Sequence, residues 1–364
     1  MRFQNKIQTY LWLIVITSLL GCSHLHIARM AWLRQPSSDV PEKQEAIKED
    51  LVQQAEAGEV ASQYALGFAL LYGENRPRDI EMGLDWLQRS AKGGYLKAQM
   101  ALGLLFMKGM PDIPKDERQA ARWLEKAALQ GHMTAQAHLG ALFLAKNSLV
   151  RDPEAGVFWL KRASEQGDET AQLALALMYR KGYVVAQNDS ESVRWYLKAA
   201  ERGNKEAQTQ LGIACYRGKG LSHSFEEAYK WFQLAAAQGD PAAMSNLGVM
   251  TSLGEACIKD ESKAIAWFRK AAELGDDDGQ SNLGAAYYTG NGVPKDYAQA
   301  LEWFQKAANK GNALAQFRLG YMYALGHGVP IDEPQARMWI TQAAEQEFPP
   351  AVKWLKEQPD DTAP

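Results

Sequence analysis

Few side chains in this sequence can do chemistry, and their surroundings narrow what each can do. Three thiols occur, at Cys22, Cys215 and Cys257. The six histidines are scattered, with His24 and His26 the one pair close in sequence. Asp276-Asp277-Asp278 begins like a Ca²⁺-binding loop, but the loop glycine and distal glutamate that such a site needs are not at their spacing. Three acids in a row suit the positive end of a helix instead. There is no His-Glu-x-x-His, no Gly-x-Ser-x-Gly and no Ser-x-x-Lys, so the hydrolase arrangements those motifs build are not encoded. Gly218-Lys219-Gly220, Gly290-Asn291-Gly292 and Gly326-His327-Gly328 follow no strand and read as turns rather than phosphate-cradling loops. The expectation is a chain with no catalytic, cofactor-binding or metal-binding residues.

Of the three thiols, Cys22 has the most suggestive neighbours. Arg2 and Lys6 precede an apolar run of eleven residues, Tyr10 to Leu20. That run is far shorter than the ~20 residues a spanning helix needs, and it fits the apolar centre of a signal peptide. Leu19-Leu20-Gly21-Cys22 then resembles the lipobox of bacterial lipoproteins, with a small residue before the cut and leucine at −3. The resemblance implies removal of residues 1–21 and lipidation of Cys22 as the new N-terminus, although Leu20 is larger than usual at its position. Ser23 stands where an aspartate would resemble an inner-membrane retention signal, so the resemblance implies the outer membrane. Acyl chains contribute about 0.8 kcal/mol per buried methylene, enough for several together to hold a protein to one leaflet. Residues 22–44 show no repeat, and Pro36-Ser37-Ser38-Asp39 and Pro41 punctuate against helix, so this stretch reads as a tether. Within it Met30-Ala31-Trp32-Leu33 could touch the lipid interface.

The rest of the chain repeats. Leu-Gly pairs and their equivalents place Gly67, Gly103, Gly140, Ala176, Gly212, Gly248, Gly284 and Gly320 at steps of 36 residues, with one step of 37. A second column holds Trp86, Trp123, Trp159, Trp195, Trp231, Trp267, Trp303 and Trp339, eight of the eleven tryptophans. Around each column the apolar residues recur at helical spacing, so each unit predicts two helices. The residue before the second helix is Asp79, Asp116, Asp152, Asn188, Ser224, Asp260, Asp296 or Asp332, all able to cap the free amides of a first turn. Asp168, Asn204, Asp240, Asp276 and Asn312 stand before first helices, and Pro241 takes a first-turn slot. Gly94, Gly131, Gly167, Gly203, Gly239, Gly275 and Gly311 follow second helices, where a left-handed residue ends a helix most cheaply. These repeated acids therefore read as caps rather than as a carboxylate active site.

The recurring pattern of Ala-Gln, Leu-Gly, Tyr, Gly-x-Gly-Val-Pro-x-Asp, Ala-x-x-Trp and Ala-Ala-x-x-Gly resembles the Sel1-like repeat family, relatives of the tetratricopeptide repeats. The resemblance implies an all-α, right-handed superhelical solenoid of antiparallel helix pairs. The organisation expected is a signal peptide at 1–21, a lipidated tether at 22–44, and a half-repeat helix at 45–58. Eight repeats of about 36 residues follow at 59–347, then a capping helix and disordered tail at 348–364. The tryptophans are expected to fill space against neighbouring units. Departures cluster near residues 105–185: an extra residue around Met110-Pro111-Asp112-Ile113-Pro114, a turn without glycine or proline at 145–150, and Ala176 in the glycine column. They predict a local irregularity in the superhelix. Cys215 shares a column with Tyr287 and Tyr323, and Cys257 one with Val293 and Val329, so both are expected as buried thiols without a disulfide. Some Sel1-like lipoproteins are cysteine-rich and carry a penicillin-related activity; this chain lacks those cysteines.

Composition bounds the partner. With 46% hydrophobic and 23% charged residues the chain has the make-up of a folded protein. A net charge of −3 with no basic run gives nucleic acid nothing to bind. What remains is surface. Counting from each Leu-Gly glycine, positions −2, +1 or +2 and +5 share a face apart from the core, and it carries His138, Lys181, Gln210, Arg217, Asn246, Asn282, Arg318 and Tyr321. This mixed polar lining is the expected partner-binding surface. The function expected is a membrane-anchored, periplasm-facing adaptor with a monomeric body, binding envelope or secretion components. The family resemblance also admits an immunity lipoprotein that neutralises a delivered toxin, such as a phospholipase effector. A cell-wall-acting enzyme would need convergent acid, base or nucleophile, and none is legible.

Overall fold

In a computed structural model of the chain, residues 50–73 and 77–357 are described; the expected signal peptide, Cys22, the expected tether and the expected C-terminal tail from 358 lie outside them. The described residues divide into two compact units, on either side of the step from 198 to 199. In the first, a helical segment at 50–56 precedes α1 (Val60–Tyr72), α2 (Ile80–Lys92), α3 (Leu96–Lys108), α4 (Glu117–Leu129), α5 (Met133–Leu144), α6 (Pro153–Gln166) and α7 (Glu169–Lys181). Helix α8 (Asp189–Glu201) runs past the division. The second unit continues with α9 (Lys205–Arg217), α10 (Phe225–Ala237), α11 (Pro241–Leu253), α12 (Glu261–Glu273), α13 (Asp277–Thr289), α14 (Tyr297–Asn309), α15 (Ala313–Leu325), α16 (Glu333–Ala344) and α17 (Pro349–Glu357). Within the first unit α1, α3 and α5 each pack most extensively on the helix that follows, and α2, α4 and α6 pack on the next helix in turn; in the second unit α9, α11, α13 and α15 and the helices after them do the same. The result is an all-α solenoid, with no strand among the described residues.

Local chemistry explains where each helix starts and stops. All eight predicted caps of the second helices accept a first-turn amide, as in Met82 N to Asp79 Oδ1 at 2.9 Å and Gln335 N to Asp332 Oδ1 at 3.0 Å. The first-helix caps Asp168, Asn204, Asp240, Asp276 and Asn312 do the same. Where repeat three has no such residue, His132 Nδ1 accepts from Ala135 N at 3.2 Å. The predicted closing glycines are left-handed, and Glu347, at the last of these positions, keeps the same conformation with φ 62°.

The paired helices cross closely at the glycine column. The Leu-Gly glycine meets the residue after the tryptophan, not the tryptophan. A Cβ on Gly212 or Gly248 would stand 2.5 Å from the ring of Phe232 or Phe268, and one on Gly103 2.7 Å from Leu124. Glycine is therefore required by contact at these crossings. Trp86, Trp123, Trp159 and Trp195 are buried, whereas Trp231, Trp267, Trp303 and Trp339 are half-buried. Lys270 and Lys306 lie 5.0 and 4.1 Å over Trp267 and Trp303, so these rings close the core while offering a face to a cation.

Two of the three departures lie in turns, and Ala176 lies within α7. The extra residue of repeat two is absorbed where Met110 and Ile113 pair through two backbone hydrogen bonds of 2.7 and 3.0 Å. In repeat three the turn without glycine is tied to the preceding repeat, where Glu117 Oε2 accepts from Leu149 N at 2.6 Å. At Ala176 the helix pair is joined by Ser192 Oγ donating to the Ala176 carbonyl at 2.8 Å. The helices on either side of the first two departures keep their pairing.

Candidate partner-binding face

In the second unit the first helices lie side by side: α9 approaches α11, and α11 approaches α13. One flank of each is covered by its paired helix, which leaves the opposite flank as a continuous face. Positions −2 from each glycine put Gln210, Asn246, Asn282 and Arg318 there at one residue per repeat. All four are half-buried. Asn246 donates to the Ala242 carbonyl of its own helix at 2.8 Å. Arg318 Nη1 donates to the Ser281 carbonyl at 3.2 Å and to its Oγ at 3.3 Å, with the guanidinium 5.7 Å from the Phe304 ring centroid. Arg217 is exposed, and Tyr321 is 40% exposed. Burial holds the Arg318 pKa below its usual value.

In the first unit the expected residues are two. His138 is buried, at 6% exposure, while Lys181 is exposed at the end of α7. Burial, and then Arg180 beside it, pulls the Lys181 ammonium below its usual range. The structure therefore offers Lys181 to a partner more readily than His138.

Sequence reasoning missed several members of these faces. Leu253 and Leu325 share the +5 column with Arg217 and are exposed, at 57% and 44%. Nearby, Tyr288 Oη lies 2.8 Å from His327 Nδ1, and Tyr297 stacks on His327 at 4.8 Å. The recurring tyrosines are its one signal in the sequence. Cys215 is buried and Cys257 half-buried, both as free thiols, with Cys257 Sγ 3.8 Å from the Met250 carbonyl. Asp276 caps Gly279, and Asn312 Nδ2 donates to Asp277 and Asp278. No group of three or more metal-ligating side chains occurs among the described residues. None of their helices is long and apolar enough to cross a membrane.

Comparison with known proteins places this geometry. The Sel1 repeat family model matches eight successive segments: 60–95, 96–132, 134–168, 170–204, 205–240, 241–276, 277–312 and 313–348. A Sel1 repeat protein from Oxalobacter formigenes is 34% identical, over 90% of this chain and 99% of that one, with a TM-score of 0.71. The protein c5321, described as a protective antigen present in uropathogenic Escherichia coli strains and displaying an SLR fold, is 32% identical. That match covers 86% of this chain and 68% of the other, with a TM-score of 0.67. Comparison with curated proteins gives no match.

Proposed function

Because the chain belongs to the Sel1 repeat family, a fold typical of protein–protein interaction, we propose that it is an envelope adaptor whose first-helix face binds other proteins. One observation carries this reading. Gln210, Asn246, Asn282 and Arg318 hold polar heads at one per repeat on the same half-buried flank, and the Asn282 side chain makes no hydrogen bond among the described residues. Half-buried polar groups gain most from a partner that completes their hydrogen bonds while excluding water. Exposed Arg217, Leu253, Tyr321 and Leu325 surround them with the mixture of arginine, aromatic and aliphatic surface that protein interfaces use. Lipid on Cys22 would hold the protein to a membrane, the outer one by the identity of Ser23, with the repeats in the periplasm.

Capture from cross-linked cell envelopes tests the reading, with the full chain as bait beside a variant carrying Arg217→Ala, Asn246→Ala, Asn282→Ala and Arg318→Ala. A group of envelope proteins lost in the variant supports the adaptor. One dominant toxin-like partner, lost in the same way, would replace it with an immunity role on the same surface. Partners retained in the variant would remove the surface from the account.

A further inference from the structure

Arg318 carries a partly desolvated charge that nothing on the described chain balances. Its contacts are neutral: the carbonyl and Oγ of Ser281, and the ring of Phe304. No carboxylate lies within 4.0 Å of the guanidinium among the described residues. Buried charges are ordinarily paired, because desolvation without a counter-charge is costly. The acids at the start of the neighbouring first helix, Asp277 and Asp278, are engaged by Asn312. Beside Ser281 stands Asn282, a half-buried carboxamide without a hydrogen bond. Tyr321 lies one turn beyond Arg318 on α15 and is 40% exposed. Ser281 fixes the guanidinium through Nη1, which leaves other N–H groups for a planar acceptor.

We propose that Arg318, Asn282 and Tyr321 form a carboxylate-binding site that receives an aspartate or glutamate side chain of a protein partner. The inference rests on the first-helix face being the partner-binding surface. Charge selects the occupant: Arg217 lies on the same face, exposed and in no ion pair among the described residues. The amide column selects its form. Gln210, Asn246 and Asn282 can each donate to and accept from a peptide main chain. Touching helices stand about 8–10 Å apart, and an extended chain rises about 3.3 Å per residue, so one amide serves roughly every third partner residue. An acidic segment in extended conformation therefore matches both the spacing and the charge.

The test uses the full chain and a dye-labelled nine-residue peptide of alternating alanine and glutamate, beside the same peptide with glutamine for glutamate. Fluorescence anisotropy should show the glutamate peptide binding at least ten-fold more tightly at low salt. Arg318→Gln should abolish that preference, Asn282→Ala should weaken it several-fold, and Arg318→Lys should retain part of it, with melting curves confirming that each variant is folded. Equal binding of the two peptides, or a preference that survives Arg318→Gln, would overturn the site. So would displacement of the peptide by inorganic phosphate at lower concentration than by acetate, which would mark a phosphate site instead. Envelope partners lost in the fourfold variant, with no discrimination between the peptides, would overturn the carboxylate site and leave the surface standing. A glutamate preference abolished by Arg318→Gln, in a chain whose captured partners survive the fourfold variant, would support the carboxylate site and overturn the reading of the face as the envelope partners' surface.

Discussion

Gln346 Nε2 donates to Gln316 Oε1 at 2.8 Å across thirty residues, and the bond recurs from Gln238 to Gln208 and Gln166 to Gln136 at the same separation and from Gln130 to Gln99 across 31. Each buried acceptor also donates to a carbonyl eight residues earlier, as Gln208 does to Ala200 at 3.2 Å. One glutamine thus joins the end of the previous repeat, its own first helix and the end of its own second helix. Met244 stands in the acceptor column with Leu274 thirty residues on, whereas Gln172 and Gln280 are kept although Arg202 and Lys310 take the partner position, and their Oε1 atoms are buried without a hydrogen-bond partner among the described residues.

Gln208→Met should therefore destabilise the protein by about 1–3 kcal/mol, because it removes one buried bond and strands its partners. Adding Gln238→Leu should restore part of that loss by recreating the Met244 and Leu274 combination. Denaturant melts of the two single variants and the double variant check the coupling; additive losses would contradict it.

These relationships show what the sequence could and could not disclose. Caps such as Asp79 and Asp332 were legible because a single side chain and its own backbone decide them. The seat of Gly248 was not, because its contact is with Phe268 twenty residues away and the more conspicuous Trp267 stands next to it. The Ala-Gln motif was visible, but its bonds reach back into the previous repeat, which spacing alone does not reveal. At the candidate face the column of Gln210, Asn246, Asn282 and Arg318 was legible from the period. The Arg318 to Ser281 bond depends on how adjacent repeats sit together, so only coordinates show it.

Val184 and Ala256 occupy turn positions where other repeats have Gly220, Gly292 and Gly328, and they keep positive φ angles of 64° and 57°. A left-handed conformation costs a residue with a side chain about 1–2 kcal/mol, more for a β-branched one. Val184→Gly and Ala256→Gly should each raise stability by about 1 kcal/mol after the added chain entropy of glycine is subtracted. Thermal melts check this, and a lower melting temperature in both would contradict the strain.

Asp276 has its pKa raised to about 6, chiefly by burial and further by the charges of Asp278 and Asp277, against the lowering effect of the Gly279 N–H. The folded state therefore binds this proton more tightly than the unfolded chain. Its stabilising contribution is complete below about 3.8 and is lost as pH rises through about 6. Asp276→Asn keeps the cap and removes the titration. It should match the parent near pH 4 and exceed it by about 1–2 kcal/mol at pH 7.5, the half-buried site being partly screened. A stability difference that does not change with pH would contradict the assignment.

The proposed lipidation would fall on Cys22. Cells fed a radiolabelled fatty acid should label the parent chain but not Cys22→Ser, and the variant should leave the membrane fraction. Labelling that survives the substitution, or none in either protein, would remove the anchor.

The central claim is that partners meet the first-helix face, and site-specific photo-crosslinking in intact cells tests it most directly. Leu253 on α11 and Leu234 on α10 are similarly exposed, at 57% and 51%, but lie on a first and a second helix. With a photoreactive amino acid at each position in turn, a discrete protein adduct is predicted from position 253 and none from position 234. Adducts from 234 alone would contradict the account.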